Sequence, residues 1–162
     1  MGSDAPPWSP ADVDAPALTV AIRCAKRVNF ASAQNNVAVL HEVRLTNGSE
    51  VAQTDIKVRA SAEPDVFRAK AWTIDRLAPG AEIALTDLAT ELDIARLSAL
   101  NEAEIGEVIL SVESAQTPQI VARRRIELLA RDEWGGLGDM AQLLAAFVSP
   151  NDAVVAGLLK EA

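Results

Sequence analysis

The chain has one cysteine, one histidine and no tyrosine. With Cys24 alone, no internal disulfide can form and no cysteine-based metal cluster is available. His41 has no second histidine to share a ligand set. An excess of positive charge is missing as well. Fifteen Lys and Arg stand against 23 Asp and Glu, for a net charge of −8. Affinity for nucleic acid comes largely from cationic side chains that neutralise phosphates. Direct contact with nucleic acid or an anionic membrane is therefore not expected. No apolar run approaches the ~20 residues that span a bilayer. The first fourteen residues carry Asp4, Asp12 and Asp14, with neither the basic nor the apolar region of a secretion signal. Together these absences point to the cytoplasm and to no cofactor. Aromatic residues make up only 4% of the chain, so the core must come from Val, Ile, Leu and Ala.

What is present reads first as strands. Residues 1–16 are a Pro/Ala/Asp-rich lead-in in which Pro6, Pro7, Pro10 and Pro16 disfavour a helix. Leu18, Val20, Ile22 and Cys24 then alternate with Thr19, Ala21 and Arg23. A period of two means a strand with one face buried. Val37, Val39, His41, Val43 and Leu45 form a second set, stopped by the turn dipeptide Asn47-Gly48. This parity places His41 on the apolar face, as a hydrogen-bonded core or edge residue. Ile56, Val58, Ala60 and Ala62 mark a third strand, Trp72 and Ile74 a fourth, and Ile83 and Leu85 a fifth. Between the last two, Ala78-Pro79-Gly80 predicts a corner at which the chain changes sheets.

Asp93 to Glu104 breaks the pattern. Ile94, Leu97 and Leu100 recur at helical spacing, with Asp93 placed to cap the start. Val108, Leu110 and Val112 resume the strands, and Ile120, Ala122, Ile126 and Leu128 share a parity in the last. Arg123-Arg124-Arg125 lies inside that strand and reads as a solvated outer face that discourages edge pairing, or else as a docking patch for an acidic partner. The expected fold is mainly β: an immunoglobulin-like antiparallel sandwich of about seven strands over residues 17–131, with a C-terminal helical extension. The Cys…Trp…Cys spacing of antibody domains is absent.

Residues 132–138 form a Gly-rich corner. Asp132 and Glu133 are adjacent, so they cannot readily face one another as an acid/base pair. No Lys follows the glycines, as a phosphate-binding loop requires. The expected role of Glu133, Trp134, Gly135 and Gly136 is a structural junction, with the glycines allowing a sharp turn. Residues 139–162 predict two amphipathic helices. Met140, Leu143, Leu144, Phe147 and Val148 line the first, and Val154, Val155, Leu158 and Leu159 the second. Each such side chain stabilises by roughly 1.5–3 kcal/mol when buried, so the stripe needs a cover. Leu143, Leu144, Phe147, Val148, Leu158 and Leu159 are the candidate docking face. It meets the sandwich, a second copy in a homodimer, or a following domain, and the end at Ala162 reads as a cut inside a longer protein.

The junction also carries a resemblance. Leu128-Leu129-Ala130, Glu133-Trp134-Gly135-Gly136, Leu143 to Val148 and Pro150 to Asp152 are worded like the N-terminal region of large bacterial multidomain proteins with a superfamily-1-type helicase core. Ala141-Gln142 stands where Pro-Glu is usual in that family, and Ala153 where Pro is usual. The resemblance implies transglutaminase-like, helicase and nuclease-like parts downstream, in a DNA-processing or defence-type protein. Neither Walker motifs nor a Cys-His-Asp set occurs in this chain, so enzymatic activity would belong to that further sequence. The expectation is thus a non-catalytic accessory module whose partners are downstream domains of its own polypeptide or another protein. The alternatives are a free-standing adhesion or chaperone-like domain, and an enzyme built around His41 with Glu42 or Asp132.

Overall fold

The computed structural model describes residues 17–117 and 119–133. These residues are mainly β and form two sheets. The smaller contains β1 (Leu18–Cys24), β3 (Leu40–Asn47) and β6 (Glu82–Ala84), in the order β1-β3-β6. The larger has the order β2-β8-β7-β4-β5, built from β2 (Arg27–Val28), β4 (Gln53–Glu63), β5 (Lys70–Leu77), β7 (Glu104–Glu113) and β8 (Ile120–Leu128). Pairing is antiparallel throughout except between β2 and β8, which run parallel. Two short helices, α1 (Phe30–Gln34) and α2 (Ile94–Ala99), complete the described elements.

Alternation explains most of the packing. Leu18, Ile22, Val43 and Leu45 of the small sheet and Ile56, Val58, Val108, Leu110 and Ile126 of the large one belong to a single buried cluster. As the composition predicts, this core is aliphatic. Phe67 is its one fully buried aromatic side chain among the described residues, with Phe30 and Trp72 packed at its margin. The chain does change sheets at Ala78-Pro79-Gly80, passing from β5 to β6. Gly80 adopts φ +67° there, a conformation that costs glycine little. Another change of sheet, between β1 and β2 at Ala25-Lys26, leaves no comparable mark in the sequence.

Two irregularities shift the alternation. Arg23 pairs with Glu42 but Cys24 pairs with Leu40, so His41 is the extra residue of a bulge. A bulge moves every side chain beyond it to the other face. Leu40 therefore enters the core, and His41 faces solvent with Nε2 3.1 Å from the Ala38 carbonyl. The expectation of an inward His41 is thereby corrected. In β4, Asp55 has φ +53°, and Gln53 and Ile56 are both buried although three residues apart. Inward-turned Gln53 accepts hydrogen bonds at 2.8 Å from both Ser114 Oγ and Thr117 Oγ1. It thus fastens the β7–β8 turn to the start of β4.

Candidate functional site

The predicted junction begins at one end of the two-sheet body, where α1, α2 and the exit of β8 meet. Asn29 is buried and caps α1. Its Oδ1 accepts from the Ser32 amide at 2.9 Å, while Ser32 Oγ accepts from the Asn29 amide at 3.2 Å, a reciprocal capping box. α2 is capped in turn by Asp93, whose carboxylate accepts from the Arg96 amide at 2.9 Å. Ile94 lies exposed on this helix while Leu97 is fully buried and Leu100 nearly so. The predicted spacing is present, but its first residue does not join the core.

Between these caps the chain leaving β8 is held residue by residue. The Leu129 amide donates to the Val28 carbonyl at 2.9 Å, and the Arg131 amide to the Leu100 carbonyl at 2.8 Å. Glu133 closes a turn on Ala130, with its amide 3.0 Å from the Ala130 carbonyl and its carboxylate accepting from the Ala130 amide at 3.2 Å. Asn29 Nδ2 donates to the Glu133 carbonyl at 3.2 Å. The Arg131 guanidinium lies 5.8 Å from the centre of the Phe30 ring, within cation–π range. Glu133 is thus a tethered turn residue. Its expected companions Trp134, Gly135 and Gly136 lie outside the described residues. So do Leu143, Leu144, Phe147, Val148, Leu158 and Leu159.

Sequence reasoning missed Asn29, which ties helix cap and chain exit together across 104 positions. A faint signal existed. Asn29-Phe30-Ala31-Ser32 has a capping residue followed three positions later by a side chain able to complete the box, although Glu or Gln is the usual partner. Asn29→Ala is expected to lower stability by about 1–2 kcal/mol and to speed amide exchange at Glu133 and Ala130 more than in mid-β7. Equal exchange at the exit in both proteins would show that the tether carries no weight.

The other residues singled out in the sequence fall apart in space or chemistry. Glu42 turns to Arg44, which hydrogen-bonds it, and to Arg23 at 3.5 Å. The Arg44 hydrogen bond, then its charge, hold the Glu42 carboxyl below its ordinary pKa. Cys24 is half-buried. Burial pushes its thiol pKa up, and the positive charge of Arg124 partly opposes this. The raised value keeps Cys24 protonated at neutral pH. Its alkylation by iodoacetamide at pH 7–8.5 is expected to be slower than that of a free cysteine, because the thiolate is the nucleophile. Any stability this thiol contributes is whole below the unfolded value of about 8.5 and is lost as pH rises through the folded value. Alkylation as fast as glutathione's would contradict this.

The arginine triplet is exposed throughout. Arg123 bonds Glu107 at 2.7 Å, with Glu63 at 3.9 Å. Arg124 donates to the Arg123 carbonyl at 2.9 Å, and among the described residues neither it nor Arg125 pairs with a carboxylate. Two depressions open away from this triplet, among the described residues. One, of 620 Å³, opens between Arg59, Phe67, Arg68, Glu91 and Ile94. The other, of 330 Å³, lies beside Lys57, Glu113 and Thr117. Both are wide open and lined by charges of both signs. Among the described residues no group of three or more His, Cys, Asp or Glu is placed to hold a metal ion. None of the described helices is long and apolar enough to cross a membrane.

No protein-family model matches the chain, and no curated protein matches it.

Proposed function

We propose that the chain is a non-catalytic, immunoglobulin-like accessory module that positions the parts of a larger helicase-related protein following it. The tethered exit carries this reading. A module that sets the direction of the next domain needs its last residues fixed to its own body. Here Leu129, Arg131 and Glu133 are bonded in turn to β2, the end of α2 and the cap of α1. A loosely attached tail would need none of these bonds.

The strand order supports the immunoglobulin-like part of the proposal. In that fold strands A, B and E share one sheet, and C, F and G the other. β1, β3 and β6 stand in the first set of positions, and β4, β7 and β8 in the second, with β5 beside C and β2 beside G. Only residues 78–81 separate β5 from β6, so no strand D stands between them, and residues 86–92, which follow β6, make contacts with β5. Trp72 Nε1 donates to the Thr86 carbonyl at 3.0 Å, and Lys70 Nζ donates to the Ala89 carbonyl at 2.9 Å. The helicase context rests on the wording of residues 128–136 and 143–152.

The reading frame around the chain is the first test. A superfamily-1 helicase core downstream of Ala162 agrees with the proposal. A secretion signal upstream with no such core overturns it in favour of an adhesion or chaperone-like domain. In the intact protein, Asn29→Ala is then expected to change nucleotide hydrolysis or its coupling while leaving the nucleotide site untouched. An unchanged activity would remove the positioning role.

A further inference from the structure

Asn47-Gly48 is the only Asn-Gly pair in the chain. Glycine gives its amide nitrogen the freest approach to a preceding asparagine side chain, because no Cβ stands in the way. Where that approach is open, the Gly48 nitrogen attacks Asn47 Cγ. The N–Cγ bond forms, the Cγ–Nδ2 bond breaks, and Nδ2 leaves as ammonia with the Gly48 amide proton. Water then opens the resulting cyclic imide at either carbonyl, giving aspartate or isoaspartate. Both reacting groups belong to neighbouring residues, so the step needs nothing but water.

The fold closes this path at two atoms and primes a third. The Gly48 amide donates to the Ala17 carbonyl at 3.0 Å, which commits the nucleophile to the start of β1. Asn47 has no exposed surface. Its Nδ2, the leaving group, is enclosed by the carbonyls of Val51 at 2.8 Å and of Leu77 and Ala78 at 3.1 Å. Oδ1 stands differently. It accepts from the Ser49 amide at 3.0 Å and from Ser49 Oγ at 2.7 Å, and donors on a carbonyl oxygen favour attack at its carbon. The block therefore lies at Gly48 and Nδ2. Gly48 is itself exposed, so solvent stands beside the one bond that restrains the nucleophile.

We propose that Asn47-Gly48 is a self-deamidation site gated by β1, which reacts when the start of β1 parts from the end of β3 and whose product keeps the two apart. Leu18 stands opposite Asn47 in the β1–β3 register and is buried, so the two strand ends open together. Among the described strands β1 has β3 as its one neighbour in the sheet, and strand ends held on one side open more readily than the middle of a sheet. Charge blocks the return. Either product carries a carboxylate, and closing the site would bury that anion among three carbonyl oxygens. Isoaspartate also reroutes the main chain through the former side chain, which shifts the carbonyl that accepts from the Gly80 amide. Loss of ammonia thus converts a reversible opening into a permanent one.

Peptide mapping by mass spectrometry reads the reaction as the exchange of NH for O at residue 47, during incubation of the full 162-residue chain at mildly alkaline pH. The free peptide Leu45–Val51 gives the unblocked rate. In the folded chain Asn47 is expected to react about tenfold more slowly or less, and L18A to recover much of that difference. L97A loosens the other end of the body and is the control, with a smaller acceleration for the same loss of melting temperature. Equal rates in the parent chain and the peptide overturn the proposal. So does an L18A rate no higher than that of L97A, which would place the gate in global unfolding. The deamidated chain, separated by anion exchange, is expected to melt at a lower temperature and to lose exchange protection at the Gly48 amide. An unchanged melting temperature would overturn the permanence of the opening.

Discussion

Asn47→Asp is expected to destabilise the protein by about 3–5 kcal/mol at pH 7, the range for a buried charge left without a partner. Asn47 is completely buried at the end of β3. Its Oδ1 accepts from the Ser49 amide at 3.0 Å and from Ser49 Oγ at 2.7 Å. Nδ2 points into three carbonyls, Val51 at 2.8 Å and Leu77 and Ala78 at 3.1 Å. Its backbone joins the same knot, with its amide donating to Ala81 and its carbonyl accepting from Gly80. One side chain therefore holds the β3–β4 turn against the corner where the chain changes sheets. Aspartate keeps the Oδ1 bonds but sets an anionic oxygen against three acceptors. Its carboxyl would be driven above the unfolded value of about 3.9. The penalty is then absent below that pH and grows as pH rises through the folded value. Urea midpoints should differ widely at pH 7 and converge near pH 4. Coincident midpoints at pH 7 would mean that the three carbonyls do not depend on Nδ2.

Leu97→Ala should cost about 2–5 kcal/mol, the usual range for deleting a buried leucine side chain. Leu97 is the only buried residue of α2 and is fully enclosed. A six-residue helix has almost no stability of its own, so α2 stays in place because Leu97 is packed. The following residue pair shows what else depends on it. Leu100 is buried, and its carbonyl accepts the Arg131 amide of the exit strap. The substitution should therefore lower the melting temperature and also release the exit. Faster exchange at the Arg131 amide than at Leu110 would mark that second effect. A uniform change across both positions would show that α2 and the exit are not linked.

Aliphatic alternation made β1, β4, β7 and β8 readable, because a strand between core and solvent repeats every two residues. The α2 spacing and its Asp93 cap were legible for the same kind of reason, as was the Ala78-Pro79-Gly80 corner. His41 shows where that reasoning stops. Its parity was sound for an unbroken strand, but the extra residue in β3 is visible only against its partner β1. Gln53 is the converse case, a polar residue that the Asp55 irregularity turns inward. The two-residue β2 was too short to have a period at all.

The candidate site divides in the same way. Composition and local pattern marked residue 133 as a place where the chain changes character. What holds Glu133 is Asn29, more than a hundred residues earlier, and Leu100 holds its neighbour Arg131. Such bonds join backbone groups and capping side chains of segments distant along the chain, and neither end announces the other. By itself the sequence determined a β-rich body with an aliphatic core, an acidic lead-in and a junction after its last strand, because these follow from composition and period. Only the tertiary structure decided which way His41 faces, which described strands form each sheet and what fixes the exit. Those depend on register between strands, and register is a property of pairs.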